Sequence, residues 1–163
     1  MSDIRPTVFI DADACPVTSE ALYLARKNAL PVVIAGNSTQ NLENHIKRGD
    51  PREPTKGFWV STLPVMVGSD SADFAIVERL SPNDIVVTQD IGLAAMVLGR
   101  NAHAISVRGR EFLRATIDIE MEIRHLEKKA RRQGMRTKGP AAFTDEDREH
   151  FVANLQRMID KAL

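Results

Sequence analysis

Thr7-Val8-Phe9-Ile10-Asp11-Ala12-Asp13-Ala14-Cys15-Pro16 is the stretch on which the fold turns. Residues 7–10 form an apolar run without polar alternation, the pattern of a strand covered on both faces. The run ends on an acid. Proline suits the first position of a helix, so a helix is expected to start near Pro16 and to bury Val17, Ala21, Leu24 and Ala25 before Pro31 stops it. A covered strand, an acidic turn and a helix make the opening of a βαβ unit.

The same grammar repeats downstream. Residues 32–35 read as a second strand closed by Gly36-Asn37, 41–47 as a weak polar helix, and 49–57 as a loop. Residues 58–67 read as a third strand, interrupted or at a sheet edge because of Pro64. A helix is expected over 71–80, a fourth strand over 84–88, a helix over 91–98 with Gly99 as its C-cap, and a fifth strand over 102–107. Ile117, Met121, Leu126 and Ala130 mark a long charged helix ending at Gly134. After a loop over 136–143, Thr144 opens a last helix with Asp147 completing a capping box, and Phe151, Leu155, Met158 and Ile159 line one face. The expectation is α/β: a three-layer α/β/α sandwich with a mainly parallel central sheet of about five strands. One domain is expected over 1–163, with the C-terminal helices of 116–162 packed on it.

Bulk composition excludes some classes. The 163 residues suit a single core, and 43% of them are hydrophobic. Lys and Arg number 22, as do Asp and Glu, so net charge argues for no nucleic-acid partner and only local asymmetry can. No apolar run approaches the roughly 20 residues that cross a bilayer. Asp3 and Arg5 lead straight into the first strand rather than into a signal peptide. Cys15 is the single cysteine, which precludes an intramolecular disulfide and suits a reducing compartment, so a cytoplasmic location is expected. Oligomeric state is not legible.

In an open parallel sheet, ligands bind beyond the C-terminal strand ends. Three acidic groups fall there: Asp11 with Asp13; Asp70 with Asp73, in Gly68-Ser69-Asp70-Ser71-Ala72-Asp73; and Asp90, in Thr88-Gln89-Asp90. Clustered carboxylates repel one another, and a hard divalent cation, Mg²⁺ or Mn²⁺, relieves that repulsion. Such an ion polarises phosphate and lowers the pKa of water. Asp11, Asp73 and Asp90 are the expected catalytic and metal-binding carboxylates, with Asp70 as a further ligand and Asp13 in support. Each group also has a simpler reading: Asp70 and Asp90 as helix N-caps, Asp73 as a first-turn acid, and Asp13 as a local turn bond. Asp11 is harder to explain that way, because a carboxylate after an apolar strand is costly to bury alone. Thr88 or Ser69 could orient a water through its hydroxyl. Arg108, after the fifth strand, could pair with a phosphate or make a structural salt bridge.

At these motifs the chain closely resembles the YaiI/YqxD family of uncharacterised bacterial proteins. The resemblance is carried by Asp11-Ala-Asp-Ala-Cys-Pro-Val17, Gly68-Ser-Asp-Ser-Ala-Asp73, Thr88-Gln-Asp-Ile-Gly-Leu-Ala-Ala95, Arg108-Gly109, and Lys138-Gly-Pro140 with Phe143 and Asp147-Arg148. It implies a PIN-like fold. PIN domains place an acid after the first strand, another on a middle helix and a third in a Thr-x-Asp turn, and bind Mg²⁺ or Mn²⁺ to cut RNA or DNA. By resemblance these map to Asp11, to Asp73 or Asp70, and to Asp90. Two departures stand out. Gly92 replaces a common proline, which loosens the helix start after Asp90, and the 49–57 loop looks long enough to alter the approach to the site.

The function expected is therefore metal-dependent phosphodiester hydrolysis of RNA or single-stranded nucleic acid. Residues 124–138 hold seven Lys or Arg and only Glu127 as an acid, so Lys128, Lys129, Arg131 and Arg132 could track a phosphate backbone. The same cations would also suit a helix C-terminus. Two alternatives remain open. One is a PIN-like module that binds nucleic acid or protein without cutting. The other is a haloacid dehalogenase-like phosphatase with Asp11 as nucleophile and Asp13 as acid/base, although Cys15 replaces the usual threonine, no lysine is well placed and Asp90 has no role there. Cys15 as a nucleophile is weaker than Cys15 as a packed small residue. Trp59 reads as core or sheet edge. His45, His103, His125 and His150 show no metal-ligand spacing.

Overall fold

The computed structural model describes residues 5–37, 41–53, 57–65, 71–136, 139 and 141–163. Its elements in chain order are β1 (Val8–Asp11), α1 (Thr18–Asn28), β2 (Val32–Asn37), a 3-10 turn (Leu42–His45), β3 (Val60–Val65), α2 (Ser71–Arg79), β4 (Ile85–Val87), α3 (Ile91–Gly99), β5 (His103–Ile105), α4 (Ile117–Arg132) and α5 (Asp145–Ala162). The strands form one five-stranded sheet of order β3-β2-β1-β4-β5, with every pairing parallel. Helices cover both faces, which makes the expected three-layer α/β/α sandwich.

The pleat sorts the apolar runs into two cores. Val8, Ile10, Val32, Ile34, Ile85, Val87 and Ile105 face one side, where α1 and α5 add Leu22, Phe151, Leu155 and Ile159. Phe9, Val33, Ala35, Val86 and Ala104 face the other, against Ile76 of α2 and Leu93, Ala94 and Val97 of α3. Burial on both faces explains why these strands lack polar alternation. Pro64 lies in the edge strand β3, where a missing N–H is tolerated.

Several boundaries differ from expectation, each for a local reason. α1 begins at Thr18, two residues beyond Pro16. The polar helix of 41–47 is a single 3-10 turn that buries only Leu42. The fifth strand is shorter than 102–107, because the chain turns sharply there: Gly109 N–H donates to Ser106 O at 3.0 Å, and Ser106 N–H to Arg110 O at 2.8 Å. Gly99 is the last residue of α3 rather than its cap. The helix is stopped by Asn101 at φ 61°, with Asn101 N–H donating to Leu98 O and Ala102 N–H to Val97 O, a Schellman arrangement. The third strand ends at Val65, and residues 66 and 67 lie outside the described residues. The described ends of the 49–57 loop lie at the N-terminal edge of the sheet, opposite Asp11. Pro51 O accepts from Val60 N–H, Asp50 forms a two-bond ion pair with Arg26, and Arg26 stacks on Phe58.

The two C-terminal helices are held differently. α5 opens with the predicted Thr144–Asp147 capping box and buries Phe151, Leu155, Met158 and Ile159 against the sheet and α1. α4 buries only Ile117, in its first turn. The seat of α5 is set by Gly109, at φ 87°, where an added Cβ would come within 2.7 Å of the His150 and Phe151 backbone. Asn154 Nδ2 also donates to Gly109 O at 2.7 Å. Gly109→Ala is therefore expected to destabilise the protein by about 2–4 kcal/mol, through left-handed strain and displacement of α5. Urea unfolding checks this, and an unchanged midpoint would show that α5 is not seated on Gly109.

Candidate functional site

The strand order creates one switch point. The chain runs from β1 outward to β3, then returns across the sheet to place β4 on the other side of β1. A crevice opens beyond the C-terminal ends of β1 and β4. Asp11 ends β1, opposite Ala35 of β2, and is only 7% exposed. Thr88 follows β4 directly and is buried.

Thr88 organises the crevice. Its hydroxyl donates to Asp11 Oδ2 at 2.8 Å and accepts from Asp90 N–H at 2.9 Å. Its proton is thus committed to Asp11 rather than to a water. Asp11 Oδ1 accepts from Asp13 N–H at 3.3 Å. Burial pushes the Asp11 carboxyl above the usual aspartate range, and repulsion from Asp13 and Asp90 adds to that, against the Thr88 and Asp13 hydrogen bonds. The charges of Asp13 and Asp90 therefore reach Asp11, as the sequence suggests.

Asp90 also serves as the N-cap of α3: its Oδ1 accepts from Gly92 N–H at 2.8 Å and Leu93 N–H at 3.2 Å. With glycine at position 92 the cap keeps a donor that proline would lack, so the helix start is pinned, not loosened. Asp73 sits in the first turn of α2 and is buried. Asp70 and Ser69 lie outside the described residues. Among the described residues, no three His, Cys, Asp or Glu come together closely enough to hold a metal ion, so Asp11, Asp73 and Asp90 do not by themselves form a three-ligand cluster. The donors present still suit Mg²⁺ or Mn²⁺. They are hard oxygens, and Mg²⁺ is commonly held by one or two carboxylates while keeping several waters.

Arg108 is engaged elsewhere. Nη1 donates to Asp147 Oδ2 at 2.7 Å, Nη2 donates to Ala141 O, and the guanidinium lies 5.8 Å from the centre of the Phe143 ring. Arg148 stacks on the same ring at 5.2 Å and pairs with Glu20. These contacts are the structural salt bridge considered for Arg108, and they tie the start of α5 to the β5 end of the sheet. Cys15 is held in the thiol form, because burial pushes its pKa up. That removes the basis for a nucleophilic cysteine.

A groove of about 430 Å³ runs from the crevice, between Gln89, Asp90 and Ile91 on one side and Met121, Arg124, His125, Lys128 and Arg131 of α4 on the other. The predicted cations thus divide: Lys128 and Arg131 line the groove with Asp90, whereas Lys129 and Arg132 do not. Arg124 and Gln89 were not singled out from sequence. Helical spacing could have found Arg124, since 124, 128 and 131 share one face. Gln89 donates its side-chain amide to Ala14 O, clipping the two crevice loops together, and carries no such signal.

Comparison with known proteins gives a consistent picture. The profile of the uncharacterised YaiI/YqxD family matches residues 9–161. A UPF0178 protein of Bacillus pumilus is 37% identical over 153 residues, covering 94% of this chain and 86% of the relative. A UPF0178 protein of Bacillus velezensis is 34% identical, covering 98% and 88%. One from Exiguobacterium sibiricum is 36% identical, covering 93% and 95%. No solved structure gives a significant match. No helix among the described residues is long and apolar enough to cross a membrane.

The raised Asp11 carboxyl has a thermodynamic consequence. Above the unfolded value near 3.8, folding must desolvate a charge, so this group subtracts stability as pH rises through its elevated native value. At low pH both states are protonated and the cost vanishes. Asp11→Asn is expected to melt roughly 2–5 °C above the wild type at pH 7, with the gap closing toward pH 4. Calorimetry across that range checks it, and a variant that melts lower at pH 7 would show that the carboxylate is net stabilising.

Proposed function

Because the chain belongs to the YaiI/YqxD family, whose motifs carry its crevice carboxylates, we propose that it is a Mg²⁺- or Mn²⁺-dependent phosphodiesterase acting on RNA or single-stranded nucleic acid, with a PIN-like arrangement. The observation that carries this reading is the Thr88 hydroxyl at the switch point, which donates to the Asp11 carboxylate and accepts from the Asp90 backbone N–H, beside a groove lined with cations.

Asp11 and Asp90 would hold the ion, with Asp73 and Asp70 as further carboxylates. The ion would polarise a phosphate oxygen and lower the pKa of a water. The protein's own groups prepare the site. Thr88 fixes the rotamer of Asp11, and each carboxylate oxygen keeps a lone pair beyond the hydrogen bond it accepts. The cap bonds from Gly92 and Leu93 hold Asp90 toward the same crevice. Arg124, Lys128 and Arg131 would seat the phosphates on either side of the bond to be cut, as charges that position without reading sequence.

A second reading is a non-catalytic binding module. It is favoured by the absence of a three-ligand group among the described residues. The decisive experiment incubates purified protein with labelled RNA and DNA in Mg²⁺, Mn²⁺ or EDTA, beside Asp11→Asn and Asp90→Asn. The expected result is metal-dependent cleavage, lowered by about 10²-fold or more in both variants, and a melting midpoint that rises with millimolar Mn²⁺ only in the wild type. Salt-sensitive binding with no product at any metal concentration would establish the binding module. Consumption of a phosphomonoester instead would shift the case to the phosphatase chemistry open to Asp11 and Asp13.

A further inference from the structure

Helix α4 turns most of its charged side chains toward the grooves beside the sheet and leaves an apolar stripe exposed, with Ile123 at the border between the two. Glu120, Arg124, Glu127 and Arg131 line the grooves beside the sheet. Ile119, Ile123 and Leu126 are 62%, 51% and 56% exposed. With Ala130 they follow a 4-3-4 spacing, the seam of a two-helix coiled coil. Exposed isoleucine and leucine at that spacing form a stripe, not scattered surface apolar residues.

Charge along the helix identifies what covers the stripe. Before Arg124 the helix carries Asp118, Glu120, which is paired with Arg110, and Glu122 and no cation, while from Arg124 onward it carries Arg124, Lys128, Lys129, Arg131 and Arg132 against Glu127 alone. Two copies laid antiparallel would bring each acidic half against a basic one. Glu122 and Lys129 flank the stripe on the side opposite Glu127, both exposed. They lie two turns, about 10 Å, apart on one helix, too far to pair with each other. An anionic membrane or a nucleic acid fits less well, since either would be repelled by the acidic half.

We propose that α4 is the contact of a homodimer, in which the Ile119, Ile123, Leu126 and Ala130 stripe packs antiparallel against the same stripe of a second copy. Ile123 then meets Leu126 of the other copy, Ile119 meets Ala130, and Glu122 lies beside Lys129, each pairing occurring twice by symmetry. Arg124, Lys128 and Arg131 stay on the groove side, so dimerisation leaves the crevice open. One helix per copy makes a small interface, so association is expected at a Kd on the order of 1–100 µM.

Sedimentation velocity of the full chain from about 1 to 300 µM tests this. The wild type is expected to shift from monomer toward dimer with concentration. Leu126→Glu is expected to stay monomeric, and Glu122→Lys to weaken association by about tenfold or more through like-charge contact. Adding Lys129→Glu to Glu122→Lys is expected to restore it. All these side chains are exposed, and thermal melts of each variant verify the fold. A wild-type monomer at every concentration, or association unchanged in Leu126→Glu, would overturn the proposal. Failure of the double charge reversal to recover would overturn the antiparallel register. Loss of binding to phosphatidylserine vesicles or single-stranded RNA in Leu126→Glu, with a monomeric wild type, would assign the stripe to that partner instead.

Discussion

The hydrogen bond from the Thr88 hydroxyl to Asp11 joins the two halves of the sheet at their point of divergence. β1 lies between β2 and β4, and its C-terminal carboxylate is almost fully buried. A buried carboxylate without donors would cost several kcal/mol. Thr88 and the Asp13 N–H lower that cost without removing it, so Asp11 stays ionisable yet strained toward its neutral form. Because Thr88 also receives the Asp90 N–H, one hydroxyl sets the relation between the end of β1 and the start of α3.

Asp84 provides a useful contrast. It too is buried, and burial raises its carboxyl. It sits just before β4, at the opposite end of the sheet, and accepts from Thr7 and Ser81 N–H groups at 2.9 and 2.8 Å. Both bonds fasten the start of β4 to neighbouring backbone. Asp11 differs in facing the repulsion of Asp13 and Asp90. Burial alone therefore does not distinguish the two acids; burial among like charges at a switch point does.

The C-terminal segment divides between scaffold and surface. Arg108 and Arg148 both lie against Phe143 and bond Asp147 and Glu20, which locks the entry to α5 against α1 and the turn after β5. α4, by contrast, is anchored through Ile117 and touches α3. Arg124, Lys128 and Arg131 border the crevice, while Ile119, Ile123 and Leu126 are exposed. That inversion of the usual amphipathic arrangement gives one helix two separate surfaces to offer.

Much was legible in the sequence because it is written in local pattern. Unalternating runs ending in Asp11 and Thr88 specify strands covered on both faces, and Thr144 with Asp147 specifies a helix start. Strand ends and helix stops were less legible. The length of β5 depends on the turn at Ser106–Arg110, and the end of α3 on Asn101 rather than Gly99, both set by backbone bonds between residues that pattern does not pair. The acids could be nominated from their positions after strands, but which charges act on Asp11 depends on strand order, a property of the whole sheet. The sequence by itself determined the parallel α/β class, the two-sided core and the placing of Asp11 and Asp90 at or just beyond strand ends. Only the tertiary structure decided that Thr88 is bonded to Asp11, that Arg108 is spent on Asp147, and which face of α4 meets the groove. The reason is physical: periodicity reports what each segment must bury, whereas contacts between distant segments follow from how the buried faces are stacked.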